Sequence, residues 1–281
     1  MRTPSVRSAG VAAPAAASLL VLLALLALLS GCGSDTTPVK FAHYVALGDS
    51  YTAAPGVEPA LGTGDCGRST ANYPRLVAAA LRAPLDDVSC SGATVTDLLK
   101  GQTVTGQVLP AQIAAVKADT DLITIGVGGN DLDLIGLATV CVQQAADCTT
   151  RVAQVQQTLG ALPGRIEKLV RAVRAKAPKA TVVLVGYPTI ISAQAPCAAL
   201  PVPAAVTSAA IDINSRLATA IKAAATATKV QFADLYRATA DHGLCGSKPW
   251  IAGIDGQGAQ PLHPTEDEQK LVAEKVLALV R

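Results

Sequence analysis

The stretch YVALGDSYTA, residues 44–53, carries an apolar run directly into Gly48-Asp49-Ser50-Tyr51. Apolar runs without strict alternation are typical of strands that are buried on both faces of a parallel sheet. Gly, Asp and Ser are also the residues that an ordinary turn after a strand prefers. Ser50 is therefore either a turn residue or a nucleophile presented at the end of a buried strand.

The remaining apolar runs extend this reading to the whole chain. Runs rich in Val, Ile or Leu predict further strands at 122–126, 181–186 and 230–234 and a short one ending near residue 88. Helical patterns lie between them at 73–81, 110–117, 151–175 and 207–225. Thr265 and Glu268 have the spacing of a capping box, and an apolar stripe then continues to the C-terminus. Strand and helix alternate, which predicts an α/β fold, a three-layer α/β/α sandwich around a mostly parallel sheet of about five strands.

Two polar loops follow strands of this predicted sheet. Gly48-Asp49-Ser50 follows the first strand, and Gly128-Gly129-Asn130-Asp131 follows the strand at 122–126. Ligands of parallel sheets bind outside the carboxyl ends of the strands. We therefore expect both loops at the same edge of the fold.

The N-terminus has the composition of a leader. Arg2 and Arg7 precede an apolar run at 9–29, as in a secretory signal. The alternative is an uncleaved transmembrane anchor, because the run is long enough to span a bilayer. Leu29-Ser30-Gly31-Cys32 argues against that anchor, since it resembles the bacterial lipobox, in which the cysteine is lipidated and becomes the mature N-terminus.

These features divide the chain into three predicted segments. We expect a lipoprotein signal peptide at 1–31, a tether at 32–41 and the functional domain at 42–281. The protein would then be exported, either as a cell-membrane lipoprotein held by a lipid on Cys32 or as an extracellular protein. The mature chain keeps 21 basic residues against 21 acidic ones, so its charge indicates neither a nucleic-acid partner nor a polybasic membrane patch.

The cysteines point to disulfides rather than to a metal. Six cysteines remain after Cys32, and an even count in an exported chain predicts three disulfides, although spacing alone does not choose among the pairings. There is no CxxC or HExxH pattern, so no metal site is expected. The glycines at 126–129 begin like a dinucleotide fingerprint, but Asp131 stands where its third glycine belongs, so no cofactor is expected either.

Acyl transfer by a serine needs a nucleophile, a base and donors for the developing oxyanion. Ser50 lacks the closing glycine of the GxSxG elbow, which disfavours the α/β-hydrolase fold. The chain has three histidines, and His43 and His242 are better explained as surface or hydrogen-bonding residues. His263 lies in a loop directly before the last helix, where Pro264 restricts the backbone and the ring can be presented.

Together these residues form a recognisable pattern. The chain resembles the SGNH hydrolases, or GDSL esterase/lipase family, whose four sequence blocks occur here in order over residues 42–281. The blocks are Gly48-Asp49-Ser50-Tyr51, Gly92 in the stretch CSGATVTDL, Gly129-Asn130-Asp131 and His263-Pro264. The resemblance implies a carboxylic ester hydrolase in which Ser50 attacks the ester and His263 transfers its proton. It further implies an oxyanion hole formed by the N–H groups of Ser50 and Gly92 and the side chain of Asn130.

One position departs from the common family pattern. Most members have an aspartate three residues before the histidine, where this chain has Gln260. The chain resembles a secreted three-disulfide subset that uses a backbone carbonyl there instead, which implies a Ser-His dyad oriented by the Gln260 carbonyl, with Asp255 as the weaker alternative. The same resemblance favours the pairings Cys66–Cys90, Cys141–Cys148 and Cys197–Cys245.

Two questions stay open at this level. A non-catalytic solute-binding or surface lipoprotein is the alternative to an esterase or lipase. The substrate is a lipid or other acyl ester, or alternatively a carbohydrate O-acetyl group. Two Phe, five Tyr and one Trp offer few platforms for sugar stacking, which favours acyl esters. A monomer is the default expectation.

Overall fold

A parallel sheet forms the centre of the protein, for which a computed structural model describes residues 40–61, 66–134, 137, 145–192 and 204–281, together with Ser5 and Gly10. Across these residues the sheet has five strands in the order β2-β1-β5-β6-β7. They are β1 (Tyr44–Gly48), β2 (Leu85–Asp87), β5 (Leu122–Gly126), β6 (Thr181–Val185) and β7 (Gln231–Ala233). Two further strands, β3 (Gln102–Val104) and β4 (Gln107–Leu109), pair as a separate antiparallel hairpin.

Helices cover both faces of this sheet. They are α1 (Ser50–Ala53), α2 (Tyr73–Leu81), α3 (Val95–Lys100), α4 (Ala145–Lys176), α5 (Ala204–Thr228), α6 (Leu235–Ala238) and α7 (Glu266–Val280). Successive β1 side chains point to opposite faces, as the pleat requires. Tyr44 packs in the cluster that holds α2 and α7, and Val45 packs in the cluster that holds α3, α4 and α5. The predicted three-layer α/β/α sandwich is therefore confirmed.

The register of the sheet brings two polar loops to one edge. β1 and β5 pair in parallel over their whole length, so that Gly48 lies opposite Gly126. The loop with Ser50 and the loop with Asn130 consequently leave the sheet side by side. β6 is the next neighbour of β5, and its end brings Tyr187 to the same edge.

Two local predictions are wrong. The helix expected at 110–117 is only a 3₁₀ turn, Gln112–Ala115, in which the buried Gln112 amide pairs with both the N–H and the carbonyl of Gly48, at 2.8 and 2.9 Å. The capping box is absent: Thr265 is the N-cap of α7 without a side-chain hydrogen bond. The Thr265 N–H already donates to the Trp250 carbonyl, and Glu268 turns into the interior, where Gln269 Nε2 donates to it.

The chain divides into two units, Met1–Pro38 and Val39–Arg281, and the sheet belongs to the second. Cys32 and nearly all of the predicted signal peptide and tether lie outside the described residues. In the part of the chain that is described, no helix has the length and apolarity needed to cross a membrane. The predicted leader and lipidation site therefore stay predictions.

The predicted disulfides are described in part. Cys66 and Cys90 form a disulfide that joins the loop after α1 to the loop after β2. Cys148 and Cys245 are also disulfide-bonded. Cys141 and Cys197 lie outside the described residues, so the other two pairings stay predictions.

Candidate active site

The turn after β1 places Ser50 at the start of a short helix. Asp49 is the N-cap of α1, and its Oδ1 accepts from the Tyr51 N–H at 2.9 Å. Ser50 is the first residue of that helix and is buried. The N–H groups in the first turn of a helix have no acceptor within the helix. The Ser50 N–H therefore has no acceptor within α1 and is available as a donor close to its own hydroxyl.

His263 meets Ser50 although 213 residues separate them. The ring Nε2 and the Ser50 Oγ are 2.8 Å apart, which is a normal hydrogen-bond distance. The other two histidines lie elsewhere: His43 is beside Asp119, and His242 stacks on Trp250 with ring centroids 3.6 Å apart. Of the three histidines, His263 is the one that contacts the predicted nucleophile.

The group that orients the His263 ring is the Pro261 carbonyl, not the predicted Gln260 carbonyl. Nδ1 lies 2.8 Å from the Pro261 oxygen, whereas the Gln260 carbonyl accepts the backbone N–H of His263 at 3.0 Å. Residues 260–263 form a turn with proline second and a positive φ of 61° at Leu262, the pattern of a type II turn. In such a turn the carbonyl of the first residue, Gln260, accepts the N–H of the fourth, His263. The carbonyl of the second residue, Pro261, is then free to accept from the Nδ1–H of the ring.

The second candidate for orienting the ring is also corrected. Asp255 is exposed on the loop before α7. Nδ1 has the Pro261 carbonyl as its partner instead. The chain therefore has a backbone carbonyl where a Ser-His-Asp triad has a carboxylate.

This hydrogen bond fixes the tautomer of His263. A carbonyl oxygen only accepts, so Nδ1 carries the proton and Nε2 has its lone pair directed at the Ser50 hydroxyl. Burial lowers the pKa of His263 from its usual 6.5, while the Pro261 hydrogen bond opposes part of that shift. The ring is therefore neutral at pH 7 and able to accept a proton from Ser50.

Two of the three predicted oxyanion donors, Gly92 and Asn130, lie on loops that are bonded to each other. Asn130 Nδ2 donates to the Ala93 carbonyl at 3.1 Å, directly beside Gly92. Gly92 has φ +79°, a conformation that glycine adopts without strain. Asp131 accepts the Val95 N–H at 3.0 Å, which also holds the start of α3 to the Asn130 loop. The same segment is tied to β1 by the Cys90 N–H, which donates to the Gly48 carbonyl at 3.0 Å.

Asp131 itself is a buried charge with a partner. Its side chain is fully buried, and Arg165 from α4 lies 2.6 Å from its Oδ1. Burial raises the pKa of Asp131, while the Val95 N–H and the Arg165 guanidinium favour the ionised form. The Asn130 loop is thus anchored to both α3 and α4.

Sequence reasoning did not identify Tyr187, which connects the two loops. Its hydroxyl accepts the Gly129 N–H at 2.8 Å and donates to Asp49 Oδ2. A side chain at Gly129 would collide with the ring, since a Cβ there would lie 2.9 Å from it. Burial raises the pKa of Asp49 to about 7, and the Tyr187 hydrogen bond acts against that rise. The signal available in the sequence was the position of Tyr187, just after β6, the third strand that ends at this edge of the sheet.

A largely apolar cavity of about 190 Å³ adjoins these residues. Ser50, Asn130 and His263 line it together with aliphatic side chains from α5 and from the segments after β5 and β6. Those aliphatic residues include Leu134, Leu137, Ile190, Ile191, Val206 and Leu217. The cavity therefore combines a serine, a neutral histidine and an apolar surface.

Sequence comparison finds a family model and lipases to which this chain is similar. The model of the GDSL-like lipase/acylhydrolase family matches residues 46–271. A lipase from Streptomyces rimosus is 34% identical over 266 residues, which cover 91% of this chain and 93% of that protein. Lipase 1 of Streptomyces coelicolor is 33% identical over 235 residues, covering 81% and 82% of the two chains.

Structural comparison agrees. An extracellular lipase from Streptomyces rimosus superposes with a TM-score of 0.75 at 28% identity, over 85% of this chain and 99% of that one. Phospholipase A1 from Streptomyces albidoflavus gives 0.74 at 31% identity, with the same coverage. A carbohydrate esterase of family 2 from Corynascus, at 18% identity and a TM-score of 0.52, shares the fold alone.

Proposed function

Because the chain belongs to the GDSL-like lipase/acylhydrolase family and is a carboxylic ester hydrolase, we propose that Ser50 is its nucleophile and His263 its general base. The observation that carries this proposal is the 2.8 Å hydrogen bond between Ser50 Oγ and His263 Nε2 beside an apolar cavity. Family membership also decides between the two functions left open by the sequence, in favour of an enzyme over a solute-binding lipoprotein.

In the first step, Ser50 Oγ attacks the ester carbonyl carbon. Its proton passes to His263 Nε2, whose lone pair already accepts the Ser50 hydroxyl. The imidazolium that forms keeps its Nδ1–H bonded to the Pro261 carbonyl. A carbonyl dipole therefore orients the ring and stabilises its positive charge, the two tasks that a carboxylate performs in a triad.

The carbonyl oxygen of the ester becomes an oxyanion during this attack. Its donors in our proposal are the N–H groups of Ser50 and Gly92 and the side chain of Asn130. The Asn130 amide nitrogen has two hydrogens, one of which is bonded to the Ala93 carbonyl, so the second serves the oxyanion. Removal of one such donor typically lowers turnover by roughly 10²- to 10³-fold.

The reaction then finishes in three proton transfers, all through His263 Nε2. The tetrahedral intermediate expels the alcohol, which takes the proton from His263 Nε2 and leaves an acyl group on Ser50. A water molecule next gives a proton to the same nitrogen while its oxygen attacks the acyl carbon. The carboxylic acid leaves, and Ser50 recovers its proton.

For the substrate we propose an acyl ester of a lipid. The cavity of about 190 Å³ is lined mainly by aliphatic side chains, which suit an acyl chain and leave an acetyl group largely without contacts. Two similar proteins at 34% and 31% identity are a lipase and a phospholipase A1. A carbohydrate acetyl ester is the second candidate, and comparing p-nitrophenyl esters of increasing chain length with acetylxylan separates the two.

We also propose that the protein is exported and acts as a monomer. A similar lipase from Streptomyces rimosus is extracellular. Attachment to the cell membrane through a lipid on Cys32 rests on the lipobox-like sequence alone. Mass spectrometry of the mature N-terminus, with Cys32→Ala as the comparison, tests that attachment.

The catalytic assignment is tested with a fluorophosphonate probe, which modifies activated serines. Wild type and the exposed-loop control Ser247→Ala should both be labelled, whereas Ser50→Ala should not. Hydrolysis of a p-nitrophenyl ester should fall by about 10⁴-fold or more in Ser50→Ala. Labelling that survives in Ser50→Ala would remove Ser50 from the mechanism.

A further inference from the structure

Gln102 contacts the backbone immediately before Gly92 from the β3–β4 hairpin. Its Nε2 donates to the Ser91 carbonyl oxygen at 2.8 Å. A Cβ built on Gly92 would lie 3.4 Å from the same nitrogen, so the side chain reaches right up to the Ser91–Gly92 peptide. No sequence block of the family includes this hairpin.

The bond matters because the Ser91 carbonyl and the Gly92 N–H belong to one peptide unit. That unit is trans and planar, so its C=O and its N–H point in opposite directions. A donor that fixes the carbonyl on one side therefore fixes the N–H on the other. Without this donor the Ser91–Gly92 peptide could rotate, because the backbone dihedrals of glycine are the least restricted of any residue.

The other groups of this loop are held as well. The Ser91 N–H and hydroxyl both bond to the Cys66 carbonyl, at 3.0 and 2.9 Å. The Ala93 carbonyl accepts from Asn130 Nδ2. Gln102 completes this set by holding the Ser91 carbonyl, which lies between those two anchors.

The oxygen of the Gln102 amide, in contrast to its nitrogen, makes no such contact: this Oε1 is buried without a hydrogen-bond partner among the described residues. A buried acceptor without a donor destabilises the fold. An apolar residue of similar length would remove that defect but would also remove the donor to Ser91.

We propose that Gln102 is a positioning residue for ester hydrolysis: by holding the Ser91 carbonyl, it directs the Gly92 N–H at the oxyanion. This rests on the proposed function, in which Gly92 is an oxyanion donor. Gln102 acts through Gly92 and does not contact the ester. Its removal therefore weakens the stabilisation of the transition state and leaves the binding of the substrate unchanged.

The test uses Gln102→Met, which keeps the length and removes the amide, and Gln102→Glu, which replaces the donor by acceptors. Gln107→Met, an exposed position on the same hairpin, is the matched control. For each protein kcat and KM are measured on p-nitrophenyl butyrate, with Tm and the inhibition constant of an alkyl trifluoromethyl ketone. That ketone forms a tetrahedral adduct whose oxyanion mimics the transition state.

For Gln102→Met we expect kcat to fall by about 10- to 100-fold, less than full loss of a donor, with KM within about twofold because the acyl pocket is untouched. The inhibition constant of the ketone should rise by the same factor, and Tm should not fall, since the unpartnered Oε1 leaves too. In Gln102→Glu we expect kcat to fall by at least as much. If Gln102→Met does not fold, the kcat of Gln102→Glu alone tests the proposal. Gln107→Met should match wild type.

Two results would overturn the proposal. One is a wild-type kcat in both Gln102 variants. The other is a fall in kcat without weaker binding of the ketone. Failure of the proposed function looks different, since wild type itself would then neither bind the ketone covalently nor react with a fluorophosphonate at Ser50.

Discussion

Tyr187→Phe removes a single hydroxyl that joins the two loops of the active site. The ring stays, so its packing against Tyr51, with centroids 4.9 Å apart, is preserved. What is lost is the acceptor for the Gly129 N–H and the donor to Asp49. Tyr187 and Asp49 are 2% and 1% exposed, so water does not readily replace the lost bond to the carboxylate.

The expected cost follows from these two bonds. A hydrogen bond to a charged group contributes about 1.5–3 kcal/mol and one to a backbone N–H about 0.5–1.5 kcal/mol, which together give about 2–4.5 kcal/mol. At about 2–4 °C per kcal/mol for a chain of this size, Tm should fall by about 5–15 °C. The two residues that lose these bonds, Asp49 and Gly129, directly precede Ser50 and Asn130. We therefore expect kcat to fall as well, by about 10- to 100-fold.

The pH dependence of this cost provides a second check. Burial raises the pKa of Asp49 to about 7, and the Tyr187 hydroxyl favours the ionised form. Loss of that hydroxyl raises the pKa further, so the folded variant resists ionisation more than wild type does. The destabilisation should therefore be larger at pH 9 than at pH 5.

Urea denaturation at both pH values and ester hydrolysis at pH 8 measure these effects. Tyr236→Phe is the control, because the Tyr236 hydroxyl makes no hydrogen bond within the described part of the chain. A Tm within 2 °C of wild type, together with an unchanged kcat, would refute the role assigned to the Tyr187 hydroxyl.

Two further predictions concern carboxyl groups outside the proposed catalytic pair, Ser50 and His263. Asp255→Ala should keep kcat/KM within about twofold of wild type, because the exposed carboxylate is not the partner of Nδ1. His263→Ala should lose about 10⁴-fold or more in kcat/KM. If both variants lost a similar amount of activity toward the same ester, Asp255 would be the third member of a catalytic triad. Burial raises the pKa of Glu268 from 4.5 to about 8, so the folded state holds a proton that the unfolded state releases, and stability falls as the pH rises across that range. Glu268→Gln should make the free energy of unfolding from urea titrations flatter between pH 5 and 8, and a slope equal to that of wild type would contradict this.

Much of the fold could be predicted because its signals are local. The buried runs at 44–47, 122–126 and 181–186 became adjacent parallel strands, and the predicted helix 73–81 has the bounds found for α2. Local signals failed at 110–117 and at the Thr265 cap, where distant backbone groups, those of Gly48 and Trp250, changed the local structure. Neither contact leaves a trace in the sequence nearby.

The same division holds within the active site. The sequence by itself selected Ser50, Gly92, Asn130 and His263, because strand ends and family blocks are properties of residue type and order. Only the tertiary structure decided that Pro261 rather than Gln260 orients His263, since the direction of a carbonyl depends on backbone dihedrals such as the positive φ of Leu262. It likewise decided that Tyr187 meets Asp49 across 138 residues. Composition and spacing specify which groups are available, but hydrogen bonds need directions, and directions exist only once the chain has folded.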